Sequence, residues 1–294
     1  MAMSVFSDFS GIVLSPALLL FLAAQPRQEP KGTDGLAQLL AKRDYQALAK
    51  AMVKGGSKSL AALGKDGAAL IGLRRPALRA VLAGLAKEHA GQAQGPIEKQ
   101  LRAVLLSQRG DPIPAYRIFV DFLDRAELRL AVLPHVSRGA MQLCRSGEQE
   151  GLPVLTKIAG LYKGQAWAIS NLANALRYLA RYGEAIKLYE GLLRADGRNA
   201  WTLNGLGLCH QAQGLLDKAL ALYLEGTATG TAGQEGDKNS CRSNAAWLLW
   251  QGGGRENRVR AARLLAAVKD PLATRARYWR VQIEREGLRQ SSWR

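Results

Sequence analysis

The sequence has little of what chemistry-bearing folds are usually built from. Cysteine is scarce, three residues in 294, which excludes a dense disulfide framework. Aromatic residues make up 6% of the sequence. Alternating runs of Val, Ile, Thr and Tyr are absent, which argues against an all-β fold. No HExxH and no spaced Cys/His cluster occurs. The three histidines, His89, His135 and His210, fall in separate helical blocks, so no metal site is expected. Cys209 and His210 are adjacent and leave a helix on different sides, a poor nucleophile–base pair, and Cys209 is expected to pack in the core. The stretch Gly55-Gly56-Ser57-Lys58-Ser59 lacks both the earlier glycine and the preceding strand of a phosphate loop. It reads as a lysine-bearing link between helices. Paired carboxylates in a shared apolar setting are also missing. The expectation is a protein with no cofactor and no catalytic residue, not an enzyme.

What is present is helix-forming. Hydrophobic residues are 48% of the sequence, enough to bury a large core, and the apolar runs are mostly Leu and Ala, which lose little freedom in a helix. The 31 glycines and 10 prolines show no collagen-like period and fall mainly between apolar blocks, as punctuation. The length suits two domains or one elongated one. Charge is unevenly spread. Residues 1–164 hold 22 basic and 13 acidic side chains, residues 165–241 hold 7 of each, and residues 242–294 hold 12 and 4. A neutral middle is thus followed by a strongly basic tail. The tail either contacts RNA, an acidic protein or anionic lipid, or is a solvated helix face.

Residues 11–24 form an uncharged apolar run of 14, shorter than the roughly 20 residues of a spanning helix. Its length fits the core of a signal peptide, with Ala23 and Ala24 near a cleavage point. The ten residues ahead of it carry Asp8 and no Lys or Arg, unlike a standard leader. Arg27 and Lys31 follow the run, and on the positive-inside rule they leave the bulk of the protein on the cytoplasmic side. Three readings stand: a membrane-associated or exported protein, an apolar helix packed on the rest of a cytoplasmic protein, and an organelle-targeting segment.

A fixed repeat organises the middle of the sequence. Residues 166–199 align without a gap on the block that starts at Ala200. Trp167 matches Trp201, Leu172 matches Leu206, Ala185 matches Ala219, Leu188 matches Leu222, and Tyr189 matches Tyr223, every pair at the same spacing of thirty-four positions. Ile169, Leu172, Ala173 and Leu176 recur at helical spacing and give one apolar face. The pattern breaks around Arg181-Tyr182-Gly183 and restarts with Ala185, Leu188, Tyr189 and Leu192. In the second block Gly214 ends the first helix. Small Ala185 and Ala219 let two antiparallel helices approach, and Tyr189 and Tyr223 fill the space beneath. Asp196-Gly197 and Arg198-Asn199 turn to the next unit.

These residues resemble the tetratricopeptide repeat family. Its unit has the same length and carries Leu and a small residue on the first helix, here Leu172, Ala173 and Leu206, Gly207, then Ala and an aromatic on the second. Gly197 stands in place of the family's usual closing Pro, and the early aromatic is displaced by two positions to Trp167 and Trp201. The resemblance is clear over 166–227. Flanking units are degenerate. Ser243-Asn244 echoes Ser170-Asn171 ahead of a helix, Gly252-Gly253-Gly254 breaks it, and Val259, Ala262, Leu265 and Ala266 mark a second helix. Ala115 and Phe119 repeat the small-plus-aromatic signature. Leu36–Met52 and Leu70–Leu85 also read as helices. Fewer than three such units rarely stand alone, so the expected architecture is an all-α helical-hairpin repeat solenoid. Its parts are an N-terminal apolar segment and linker (1–31), degenerate helical repeats (32–164), tetratricopeptide-like repeats (165–268), and a basic capping helix and tail (269–294). In that last segment Leu272, Ala276, Trp279 and Ile283 form an apolar stripe, with Arg275, Arg277, Arg280 and Arg285 largely elsewhere on the cylinder.

The resemblance implies a concave face built by first helices, contacting a protein partner through Trp167, Ser170, Asn171, Asn174 and Arg177 in one unit. In the next unit the same face carries Trp201, Asn204, Leu208 and Gln211. Asn hydrogen-bonds an extended backbone as donor and acceptor, Arg177 pairs with a carboxylate, and Trp supplies contact area. Packing between units accounts equally well for the two Trp. Some family members grip C-terminal carboxylates with a Lys/Asn clamp. Here Ser170 stands where that clamp has Lys, so no clamp is inferred. The expected role is a non-catalytic protein-interaction scaffold or assembly subunit of a larger complex. The alternative is an RNA- or ribosome-associated helical-repeat protein that uses its basic ends, with Arg275, Arg277, Arg280 and Arg285 as contacts.

Overall fold

The computed structural model describes residues 36–54, 59–89, 95–230 and 235–268. The apolar run at 11–24, the link at 55–58 and the arginines of the tail lie outside these residues. The described residues are all-helical, with no strand among them. None of their helices is long and apolar enough to cross a membrane. The protein divides into two compact units, one ending at Gly160 and the other beginning at Leu161.

The first unit contains α1 (Leu36–Ala41), α2 (Tyr45–Lys54), α3 (Gly64–Ile71), α4 (Arg75–Glu88), α5 (Pro96–Gln108), α6 (Ile113–Phe119), α7 (Ala126–Arg145) and most of α8 (Gly151–Leu161). Leu70, Leu78, Leu101, Phe119, Leu128 and Leu133 are buried at its centre. Close approach depends on small residues. A Cβ on Gly84 of α4 would lie 2.8 Å from the Ala49 Cβ of α2, and one on Gly139 of α7 would lie 2.3 Å from the Tyr116 Cβ of α6. Two expected helices are each divided. Leu36–Met52 breaks at Arg43, whose φ is +59°, and Leu70–Leu85 breaks between Ile71 and Arg75. Pro76 suits the second break: it sits in the first turn of α4, where its missing N–H costs nothing but cannot continue a helix from α3, and Arg74 ahead of that turn is extended (φ −73°, ψ 157°). Ser59 caps a 3-10 turn, its hydroxyl accepting from the Ala62 N–H at 3.2 Å.

The second unit is a run of helical hairpins. They are α9 (Ala166–Tyr178) with α10 (Tyr182–Ala195), α11 (Ala200–Ala212) with α12 (Leu216–Ala228), and α13 (Glu235–Gln251) with α14 (Arg255–Ala266). Each helix packs on the next, and the first helices also meet one another, α9 on α11 and α11 on α13. The reversals inside the hairpins use left-handed residues: Ala180 (φ +58°), Gly214 (φ +78°), and Gly253 and Gly254 (φ +68° and +77°). Ala180 and Gly214 stand one repeat apart, so the period extends to the turn. The first reversal falls at Leu179–Arg181, two residues ahead of the break that the apolar pattern predicts.

The aromatic residues of the second helices act as wedges. Tyr189 and Tyr223 are 1% and 0% exposed, and full burial of such a side chain is worth roughly 1.5–3 kcal/mol. Gly205 leaves room for the Tyr189 ring and Gly207 for the Tyr223 ring, since a Cβ on either glycine would come within 2.5 Å of the ring. Tyr223 then closes against Ala245 and Leu248 of α13. The last layer joins α13 to α14 through Ala246, Leu249, Ala261, Ala262 and Leu265.

Candidate partner-binding face

The residues expected on a first-helix face divide into two groups. Trp167, Ser170 and Asn171 are buried, at 7%, 0% and 6% exposure. Trp167 packs on Tyr162 with ring centroids 5.1 Å apart, so packing is its observed task. Asn174, Arg177, Trp201, Asn204, Leu208 and Gln211 are half-buried, which leaves part of each side chain open to solvent.

Several of these polar groups are committed within the fold. Asn244 of α13 donates from Nδ2 to the Asn204 Oδ1 at 2.8 Å, tying α11 to α13. The Tyr223 hydroxyl donates to the Gln211 Oε1 at 2.7 Å. Asn244 is not among the residues that the resemblance implies, although the repeat of Ser170-Asn171 as Ser243-Asn244 marks it. Trp247 and Trp250, also on α13, are half-buried and pack against the apolar layers on either side.

Arg177 is differently placed. Its Nη2 donates to the Asn174 Oδ1 at 3.3 Å, and its guanidinium carbon lies 4.2 Å from the centroid of the Tyr178 ring. The ionisable groups that act on it are Tyr189, Tyr178 and Cys209, none of them a carboxylate. Its Nε is buried and makes no hydrogen bond among the described residues. The Tyr189 hydroxyl is likewise buried, with the donor-only Arg177 guanidinium beside it and no acceptor for its proton. Burial pushes the Tyr189 phenol well above its ordinary range, against the opposing pull of Arg177, so it stays protonated.

Groups with nucleophilic or acid–base chemistry are packed away. Cys209 is fully buried, and burial pushes its thiol up to about 11. The thiol of Cys241, also fully buried, is pushed up to about 12 by the same cause and donates to the Ala200 carbonyl at 3.3 Å. The neighbouring His210 is half-buried and lowered, mainly by desolvation and then by Lys218. In the first unit the His135 Nδ1 lies 2.8 Å from the Ser107 Oγ, both residues buried. Desolvation, followed by the charge of Arg138, lowers His135 to about 4. That contact joins α5 to α7, far apart in sequence, and no local pattern announces it. Among the described residues no three His, Cys, Asp or Glu side chains gather as a metal would need.

Compared with family models, curated proteins and solved structures, the protein matches none.

Proposed function

We propose that the hairpins α9 to α14 form a tetratricopeptide-like solenoid segment, and that the protein is a non-catalytic scaffold which binds an extended segment of a protein partner along its first helices. One observation carries this reading: residues one repeat apart do the same job. Ala185 and Ala219 are both 0% exposed, Tyr189 and Tyr223 are both wedges against a glycine, and Ala180 and Gly214 both make the left-handed turn. Units that repeat in phase present their first helices side by side. The half-buried Asn174, Arg177, Trp201, Leu208 and Gln211 then fall in neighbouring rows. Such a row has the composition of a peptide-binding surface, with aromatic and apolar contact area beside Asn, Gln and Arg.

The test is selection of peptides from a random display library on the full-length protein. Selected peptides are expected to lose at least tenfold in affinity on Leu208→Asp or Trp201→Ala, and to be indifferent to Lys187→Ala on the exposed side of α10. A selection that yields no peptide sensitive to first-helix substitutions contradicts the reading.

A second reading draws on α14, where Arg255, Arg260 and Arg263 line an open surface depression with Val259 and Glu256. A nucleic-acid ligand there would lose affinity steeply with added salt, roughly in proportion to the number of phosphate contacts. A peptide held by the first helices would be far less sensitive.

A further inference from the structure

The two Tyr wedges differ in one respect that bears on what the protein binds. One repeat separates Arg177 from Gln211 and Tyr189 from Tyr223, so the two pairs occupy equivalent places in successive hairpins. In the second pair the chemistry is complete: the Tyr223 hydroxyl donates to the Gln211 amide oxygen at 2.7 Å. In the first pair the acceptor has been replaced by a side chain that can only donate. The Tyr189 hydroxyl lies beside the Arg177 guanidinium, which cannot accept its proton, and neither the hydroxyl nor the Arg177 Nε completes a well-formed hydrogen bond. Tyr189 is 1% exposed. Two further facts sharpen the imbalance. Among the described residues no carboxylate acts on Arg177, whose neighbours are the phenols of Tyr189 and Tyr178 and the thiol of Cys209. Ser170, on the same helix and 0% exposed, also has a hydroxyl without a hydrogen bond.

A guanidinium drawn out of water is costly unless an anion accompanies it. A buried donor without an acceptor costs more than the bond it would make is worth. The arrangement is thus one acceptor short, and the missing acceptor carries negative charge. Resting on the reading of this face as a peptide-binding surface, we infer that Arg177 receives the carboxylate of a glutamate or aspartate side chain from the bound partner segment. A carboxylate has two oxygens, which suits a guanidinium edge together with a neighbouring hydroxyl. Because the unmatched Nε lies below the surface, the carboxylate has to arrive on a side-chain stem. The terminal carboxylate of a peptide stays at the level of its backbone. Asn174, already bonded to Arg177, holds the guanidinium in place, and the half-buried Trp201 and Leu208 of α11 offer contact area to other residues of the ligand.

The test uses peptides selected on the full-length protein, each synthesised in three forms: as selected, with its acidic residue changed to the amide (Glu→Gln or Asp→Asn), and with the C-terminus amidated. The expected result is that one acidic position dominates. Its amide form binds about tenfold or more weakly, as for a charge-assisted hydrogen bond, and amidating the C-terminus changes nothing. With Arg177→Gln the acid and amide peptides bind alike, whereas Arg177→Lys retains part of the preference. Circular dichroism shows whether each variant keeps its helices, and the peptide comparison on the unmodified protein stands without any variant. Three results overturn the inference: no acidic preference, a preference that survives Arg177→Gln in a folded variant, and a preference abolished by C-terminal amidation. Peptides that depend on Leu208 or Trp201 but not on an acid sink this inference alone. If no peptide depends on the first helices, both readings fall.

Discussion

Replacing Tyr189 and Tyr223 by Phe, one at a time, should move the stability of the second unit in opposite directions, although the two residues are equivalent in sequence and almost equally buried. Tyr223→Phe removes the hydrogen bond to the Gln211 Oε1. A neutral bond of this kind contributes about 0.5–1.5 kcal/mol net, and half-buried Gln211 can turn to water, so the loss should be about 1 kcal/mol. Tyr189→Phe removes a hydroxyl that is buried beside Arg177 with no acceptor for its proton. Burying such a group costs about 1–3 kcal/mol, and the small loss of dispersion where the oxygen was offsets part of the relief. The net result should be a gain on the order of 1 kcal/mol. The two variants should therefore differ by about 2 kcal/mol, with midpoints displaced by about 2–4 °C each for a protein of this size. Fluorescence suits the assay, because the sequence has no Trp before position 167 and the described ones, Trp167, Trp201, Trp247 and Trp250, all lie in the second unit. Thermal and urea unfolding of the full-length protein should place Tyr189→Phe above the parent and Tyr223→Phe below it. If both variants lose the same stability, or Tyr189→Phe loses more, the Tyr189 hydroxyl has a partner and the reasoning about an absent acceptor fails.

Further outcomes follow from other positions. The left-handed backbone of Ala180 costs roughly 1 kcal/mol, so Ala180→Gly should leave the midpoint unchanged or raise it slightly, while Gly214→Ala should lower it by up to about 1 kcal/mol; unfolding of the two variants side by side checks the contrast. Gly205→Ala drives a Cβ into the Tyr189 ring and should cost about 1–3 kcal/mol, whereas Gly183→Ala on α10 meets nothing within 4 Å and should gain about 0.5–1 kcal/mol from helix propensity. His135 titrates at about 4 in the folded protein against 6.5 when unfolded. Between those pH values the unfolded state binds the extra proton, so stability is full above pH 6.5 and falls as the pH drops to 4, by about 3 kcal/mol in all. Urea titrations of the first unit by circular dichroism, repeated with His135→Gln, should show that slope flattened.

Much of the second unit is legible in the sequence because its information is local. Leu172, Ala173, Ala185 and Tyr189 have counterparts one repeat later, and helical spacing with a small-plus-aromatic pair is enough to place a hairpin. The turn at Ala180 is harder to read, since an Ala gives no hint of a left-handed backbone; only its counterpart Gly214 does. In the first unit the breaks at Arg43 and before Pro76 divide runs that look continuous by apolar pattern, because one dihedral ends a helix without changing its hydrophobic face. The face itself is only partly readable. Periodicity says which residues share a side of α9 but not how deep each lies, so it groups Trp167, Ser170 and Asn171 with half-buried Asn174 and Arg177. Contacts between helices carry no local signal, which is why the Asn204–Asn244 bridge, the Ser107–His135 pair and the unmatched donors of Arg177 and Tyr189 emerge only once the helices are packed.

The central claim is that the first helices of successive hairpins form one surface and that the partner lies on it. Hydrogen–deuterium exchange of the full-length protein, with and without a saturating selected peptide, reads this directly. The account predicts slowed exchange in residues 166–178, 200–212 and 235–251, with α10, α12 and residues 36–160 unchanged. Protection concentrated on α10 and α12, or confined to the first unit, would contradict it.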